Sequence, residues 1–482
     1  MAAISQKKST KGNLIVLPYN FDLDEHLKAT YIPLPRFKKE KVYYFLGLLS
    51  SIPARNPDIV TEDGFVPINH KLIRNNIKDI IYYIDYLFST GVIERDNHYI
   101  PEEKSIGYKW AKKYSTSRFI VKQIESKYYD YNAEQYAWQF EMYPYLFHWY
   151  QQNKLMVDED AANDHAFELY QDKMNDPTKR SWEVNNKGER KNPETQYRSA
   201  ILNIAKIKYY QYQPNIDSNV HRLHSAFTGL GKKYRQFITY NGEKLVGIDI
   251  TNSQPYIISL ILNKDFWSAN SSLSLSINNL PDNIQDTLKV PPELLAMIVE
   301  YFNSIEEIDI AQFRRYMSLV SSGKFYERVA EIIKFGDEIV QGREITREER
   351  DEAKLLMFYT MYSSNYLPQK TSLRRMRYMF KDMFPKVAEL FQIIKRNFKN
   401  VDIEKQHNRL AKLLQSIESN IVLHKCCKRI WIEGNQQVPV FTIHDNIVTT
   451  QGNENFVRKI MYEELERHIG IEPPLSKPEI WG

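Results

Sequence analysis

Two aspartates and a ladder of four side chains hold most of the chemistry this sequence offers. In Lys244 to Leu262 (KLVGIDITNSQPYIISLIL), Leu245, Val246, Ile248 and Ile250 predict a buried strand with Asp249 at or near its C-terminal end. Asn252 and Ser253 predict the cap of a following helix that carries Ile257, Ile258, Leu260 and Ile261. A rigid strand fixes such a carboxylate and the sheet edge leaves it open, which suits a metal ligand. A helix-capping Asp is the plainer alternative. In Val438 to Thr450 (VPVFTIHDNIVTT), two alternating apolar runs flank His444-Asp445-Asn446 and predict a hairpin with a polar tip, for which a simple β-turn is the bland reading. Between them, Arg347 to Ser364 places Arg350, Lys354, Phe358 and Tyr362 four apart, so one helical face shows two cations and then two rings. The cations suit a triphosphate, Arg as a fork and Lys as a point charge. Phe358 could stack on an incoming base or sugar, with Tyr362 one turn further on. A helix with mixed solvent and core faces is the alternative.

The elements that must position these groups occupy the rest of the chain. Residues 1–40 read as a polar arm and an extended segment punctuated by Pro33 and Pro35. Over 41–115, Lys41 to Ser51, Lys71 to Asn76 and Lys78 to Ser89 predict three helices, the last stopped by Gly91. Val92 to Asp96 and His98 to Pro101 predict a hairpin around Asp96-Asn97, completing a winged-helix-like pattern. Winged helices bind duplex nucleic acid or contact protein, and the basic, aromatic segment after this one favours nucleic acid. Residues 116–215 read as mostly helical, with Trp138, Phe140, Tyr143, Tyr145, Phe147 and Tyr150 on repeating faces, and with an exposed loop from Pro177 to Thr195.

Composition bounds the class. Hydrophobic residues make up 43% and charged residues 26% of 482, the balance of a globular chain of several packing units. A formal charge of +5 says little about nucleic acid on its own. Lys104 to Lys113, Lys179 to Lys191 and Arg374 to Lys381 are basic runs with interleaved aromatics, which a phosphate-tracking groove would need and which solvated helix faces also show. The two cysteines, Cys426 and Cys427, are adjacent, which suits neither a disulfide nor a zinc site. With no signal-like or membrane-spanning apolar run, the expected location is cytoplasmic, with no membrane partner.

In their order, the three motifs resemble those of family A DNA polymerases, relatives of bacterial DNA polymerase I. That family ends a strand with a metal-binding Asp (motif A, here Asp249). Its fingers helix reads Arg-x3-Lys-x3-Phe/Tyr-x3-Tyr (motif B, here Arg350, Lys354, Phe358 and Tyr362), and a hairpin carries His-Asp (motif C, here His444-Asp445). Arg222-Leu223-His224-Ser225 stands where the family contacts the primer-side minor groove. Gln415 to Asn420 is similar to its Gln-bearing helix near the primer-template. The resemblance covers roughly Arg222 to Gly482. It implies an α+β right-hand polymerase, with an antiparallel palm sheet and helical fingers and thumb, behind a winged-helix-like domain. The implied division is an arm at 1–40, the winged-helix-like domain at 41–115, a thumb-like region at 116–215, palm at 216–265, fingers at 266–395 and palm again at 396–482.

The same resemblance implies two Mg²⁺ ions on Asp249 and Asp445, Mn²⁺ being a substitute. Lys354 and Arg350 would act on the phosphates, Phe358 and Tyr362 near the base, and Gln254 at the sugar. His444 would orient the primer end, with Arg222, Gln415 and Tyr362 along the nucleic acid. The partners implied are primer-template DNA and nucleoside triphosphates, an RNA template being an open alternative. Three positions depart from the family: Gln254 stands in the place of a Glu that gates the ribose hydroxyl, Asn446 follows Asp445 where an acid is usual, and Ser363 replaces a Gly. The leading expectation is a compact DNA polymerase without proofreading, of the kind a phage or other mobile element carries. A primase or single-subunit-type RNA polymerase on the same palm is the first alternative. A winged-helix replication initiator with an inactive palm is the second.

Overall fold

Continuous burial marks the central strands of the main sheet. Glu243–Ile248 leaves Glu243 and Lys244 exposed and buries the four residues that follow. It therefore lies inside an antiparallel sheet, in the order Phe441–Ile443, Asn446–Thr450, Glu243–Ile248, Ile238–Tyr240, Leu155–Val157, with Glu479–Ile480 also pairing against Glu243–Ile248. The structure is a computed structural model that describes residues 13–31, 36–96, 105–115, 117–125, 128, 133–185, 188–336, 344–366, 371–399 and 405–481. Helices and antiparallel sheets mix in a way compatible with the α+β class.

The register decides what meets at the sheet's end. Ile248 lies opposite Ile447, so Asp249 emerges beside the turn that holds Asp445. Gly247 sits in this strand because a Cβ there would stand 2.9 Å from Asn446 Oδ1 and 3.3 Å from Trp481 Nε1. Gly247→Ala is expected to cost about 1–3 kcal/mol through overpacking. A urea midpoint equal to that of the parent protein would contradict this.

Helices cover the sheet. Ser253–Ile261 is buried along its whole length, as a helix apolar on every side must be. Asn252 does not cap it with its side chain as expected. It takes a left-handed backbone, φ 47°, and its Nδ2 donates to Val320 O at 2.9 Å. Arg409–Ser419 runs without a break through a π-wound segment, Asn420–Cys427, into Lys428–Glu433. Such π-wound turns concentrate at functional sites.

A second core packs the N-terminal region against helices Glu159–Met174 and Pro193–Lys208. These two helices also feed the main core, through Ala162, Ile204 and Ile207, and so tie the two together. Lys39–Arg55, His70–Asn76 and Ile80–Ser89 are helical, beside a three-stranded sheet in the order Val66–Pro67, Gly107–Trp110, Ile93–Arg95. The strand expected at 98–101 lies outside the described residues; Ile93–Arg95 pairs with Gly107–Trp110. Ile80–Ser89 exposes Tyr82, Asp85 and Ser89 and contains no Lys or Arg, so it offers phosphates no countercharge.

Several expectations for this half need correcting. Phe119–Ile124 is a strand paired with Asn13–Pro18, although both segments read as something else in the sequence. The rings of the Lys104–Lys113 run belong to the core, since Tyr108 and Trp110 are buried. Cations of the Lys179–Lys191 run are held internally: Lys179 on Glu62 at 2.6 Å and Lys191 on Asp58 at 2.9 Å. Among the described residues, no helix is long and apolar enough to cross a membrane.

Candidate active site

The site begins where two neighbouring strands end. The Asp249 N–H donates to Ser476 Oγ and the Ser476 N–H donates to Asp249 O, both at 2.9 Å, so the C-terminal segment holds the aspartate's backbone. Across from it, Ile443 pairs with Asn446, leaving His444-Asp445 as a two-residue hairpin loop. His444 is exposed and has a φ of 57°, at a loop position that Gly usually fills. A left-handed non-glycine residue costs about 1–3 kcal/mol and tends to occur at functional sites.

Electrostatics couple the two aspartates. Burial pushes both carboxyls above the usual range, and for Asp445 the shift is large. After burial, Asp445 is raised by the charges of Glu418 and Asp249. Asp249 is drawn back down by Arg235, a hydrogen bond from Asn446, and Lys232. Like charges crowded into a partly buried site fit a hard cation, and the donors are oxygens of the kind Mg²⁺ prefers. Among the described residues no group of three or more His, Cys, Asp or Glu side chains is placed to hold a metal. The remaining ligands would therefore come from water, backbone and substrate phosphate, as Mg²⁺ commonly arranges.

A third carboxylate, missed in the sequence, sits beside this pair. Glu418 is 2% exposed and accepts hydrogen bonds from Arg222 Nη2, Ser253 Oγ and Gln254 Nε2. Arg222 is placed for this by Asp217, which accepts from the N–H groups of Asn219, Val220 and Arg222 at 2.8 to 2.9 Å. Gln254 Oε1 in turn accepts from the Tyr362 hydroxyl at 3.4 Å, and Gln415 hydrogen-bonds that same hydroxyl. Burial raises the Tyr362 phenol to about 12, against the Gln415 bond, which pulls it down. Arg222, Gln254, Tyr362 and Gln415 thus converge from four separate segments.

The ladder helix is Arg347–Tyr362, opened by a capping box between Thr346 and Glu349. Ala353, Leu356, Met357, Thr360 and Met361 fasten its inner face. Arg350 Nε donates to Glu327 Oε1 at 2.7 Å, and its guanidinium lies 5.5 Å from the centre of the Tyr326 ring. Tyr326 lies within electrostatic reach of both Tyr362 and Asp445. Lys354 is exposed, with Nζ 5.5 Å from the centre of the Phe358 ring. Phe358 and Tyr362 stack with centroids 5.6 Å apart and planes 20° apart.

Two cations close the helix's C-terminal end. Lys395 Nζ donates to Thr360 O at 2.7 Å and to Ser363 O at 3.1 Å. Arg377, from the third basic run, donates to Ser363 Oγ and to the carbonyls of Ser364, Asn365 and Tyr366. Burial first, and Arg377 second, pull the Lys395 amine down to about 7, with Lys381 lining the same small cavity and His407 nearby. An amine lowered in the folded state binds fewer protons there than in the unfolded chain between pH 7 and its ordinary value. Its contribution is therefore complete above that ordinary value and is lost as pH falls through about 7. Stability should rise on the order of a few kcal/mol over that window, and Lys395→Met should flatten the rise. Parallel profiles of urea stability against pH for the two proteins would contradict this.

Three comparisons place the chain among known proteins. No family model matches it, and no curated protein does. Among solved structures, the POL domain of Pol1 from M. smegmatis, in complex with DNA primer-template and dNTP, is similar over 69% of this chain and 68% of that one, at 11% identity and a TM-score of 0.31. At that TM-score the likeness carries no functional weight, and the chemistry of this site has to be read from its own geometry.

Proposed function

We propose that this protein is a template-directed nucleotidyltransferase, a DNA polymerase without proofreading, which adds nucleotides to a 3′-hydroxyl at Asp249 and Asp445. The observation that carries the proposal is the meeting of two aspartates at adjoining strand ends with a helix whose Tyr362 contacts Gln254, five residues after Asp249. Phosphoryl transfer depends on positioning and charge neutralisation; these residues would supply the first, and the cations they would hold, with Lys354 and Arg350, the second.

Asp249 and Asp445 would hold the divalent cations, Mg²⁺ or Mn²⁺, which when bound lower the pKa of the attacking hydroxyl and neutralise phosphate charge. Lys354 would place a point charge on the triphosphate. Arg350 would exchange Glu327 for the terminal phosphates, a bidentate partner of the same charge. Phe358 and Tyr362 would cover the base, while Arg222 and Gln415 would line the minor-groove side of the primer-template. His444, held at the hairpin tip beside Asp445, would orient the primer end.

Gln254 motivates a second reading, a primase or RNA polymerase, because a neutral amide stands where a carboxylate would exclude ribose. A set of four templates that differ at one base, each offered the four nucleotides singly as deoxy and as ribo forms, tests both. The proposal expects only the complementary deoxynucleotide to be added. Complementary ribonucleotides added equally well would move the protein to the second reading, and addition that ignores the template would overturn both.

A further inference from the structure

The buried polar cluster around Glu418 fixes a direction for every hydrogen bond in it. An ionised carboxylate only accepts, so the group that Gln254 turns towards Glu418 has to be its amide nitrogen. Gln254 Oε1 must then face the other way, where it accepts from the Tyr362 hydroxyl. Among the described residues, Arg222 supplies the one positive charge that touches Glu418, and Ser253 fills a remaining acceptor site. Glu418 is 2% exposed and Gln254 7% exposed, so water does not compete for these bonds.

The same geometry explains why residue 254 is not acidic. A Glu there would press a second carboxylate against Glu418 with only Arg222 to balance the two, and two carboxylates sharing one buried site cannot both ionise. The acid has in effect been placed on helix Arg409–Ser419, and the amide on helix Ser253–Ile261.

We infer that Glu418 is a specificity-determining residue for the sugar of the incoming nucleotide, acting through Gln254. The assignment to the sugar rests on the polymerase reading. Gln254 follows Asp249 by five residues, on helix Ser253–Ile261, and touches the hydroxyl of the Tyr362 ring stacked on Phe358; in the polymerase reading the phosphates sit at the aspartates and the base at those rings. In that reading the sugar lies between phosphate and base. Glu418 is a positioning residue: it orients the amide that the sugar meets, and through Tyr362 it ties that wall to the helix that carries Lys354.

The test is a double-mutant cycle on Q254E, E418Q and Q254E/E418Q, each measured for thermal stability and for kcat/KM with a deoxynucleotide and its ribonucleotide. The loss of a hydrogen bond to a charged group is expected to change the ratio of the two kcat/KM values by about tenfold or more in E418Q. Q254E should melt lower than the parent protein. The double variant, which restores one acid facing one amide, should recover both properties towards the parent values. A ratio unchanged in E418Q, or single effects that simply add in the double variant while synthesis is intact, overturns the role of Glu418. Absence of synthesis by the parent protein with either sugar overturns the polymerase reading and the sugar assignment together. In that case the melting cycle still reads whether Glu418 and Gln254 are coupled.

Discussion

Asp445→Asn is expected to abolish nucleotide transfer and, at the same time, to raise the melting temperature measured in EDTA. The two effects share one cause. Asp445 is partly buried beside Glu418 and Asp249, and its charged form is disfavoured there by lost solvation and by like charge. An amide of the same shape removes that repulsion, as active-site groups that compromise stability for function commonly allow. The charge removed is the one that would hold the cation, so transfer should fall by 10²–10³-fold or more, about 3–4 kcal/mol of transition-state stabilisation. Added Mg²⁺ should raise the melting temperature of the parent protein and leave that of Asp445→Asn unmoved, because a ligand that binds only the folded form stabilises it by mass action. A variant that melts lower and still transfers nucleotides would show that Asp445 is a structural turn residue.

Lys354→Ala is expected to separate catalysis from folding. Lys354 is exposed and its Nζ lies over the Phe358 ring, a contact worth about 0.5–1 kcal/mol at an exposed site. Stability should therefore stay within about 1 kcal/mol of the parent. A cation aimed at developing phosphate charge contributes far more, so kcat should drop about 10²-fold or more. Lys354→Arg should recover part of the loss, since it keeps the charge but changes the donor geometry. Arg350→Ala differs because it also leaves Glu327 without its guanidinium partner, so its stability and activity should fall together. Equal losses of stability in Lys354→Ala and Arg350→Ala would argue that the ladder is only a packed helix face.

The parts of the site that were legible in the sequence are those whose chemistry is local. A run of β-formers ending in Asp249, a helix with cations and rings four apart, and two alternating runs around His444-Asp445 each state their own geometry. Glu418 could not be read that way. It lies on an amphipathic helix with Leu410, Leu413, Leu414 and Ile417, where an acid beside an apolar stripe usually marks the solvated edge. Only the arrival of Arg222, Ser253 and Gln254 from distant segments makes it a buried charge. Arg235 was missed for a similar reason, being on a short 3₁₀ turn with no motif around it.

The N-terminal half was harder for a different reason. Phe119–Ile124 (FIVKQI) is a six-residue run, too short for its spacing to tell a strand from a helix. Its partner, Asn13–Pro18, lies about a hundred positions away, and nothing local announces such a pairing. Charge counts also leave pairing unseen: Lys179, Lys191 and Arg377 of the basic runs are each held by protein groups.

The most direct test of the central claim is extension of a labelled primer-template in Mg²⁺ by the parent protein beside Asp249→Asn and Asp445→Asn. The site described here predicts stepwise, template-complementary extension by the parent and none by either variant. Extension that survives in both variants, or none by the parent with any nucleotide, would contradict it.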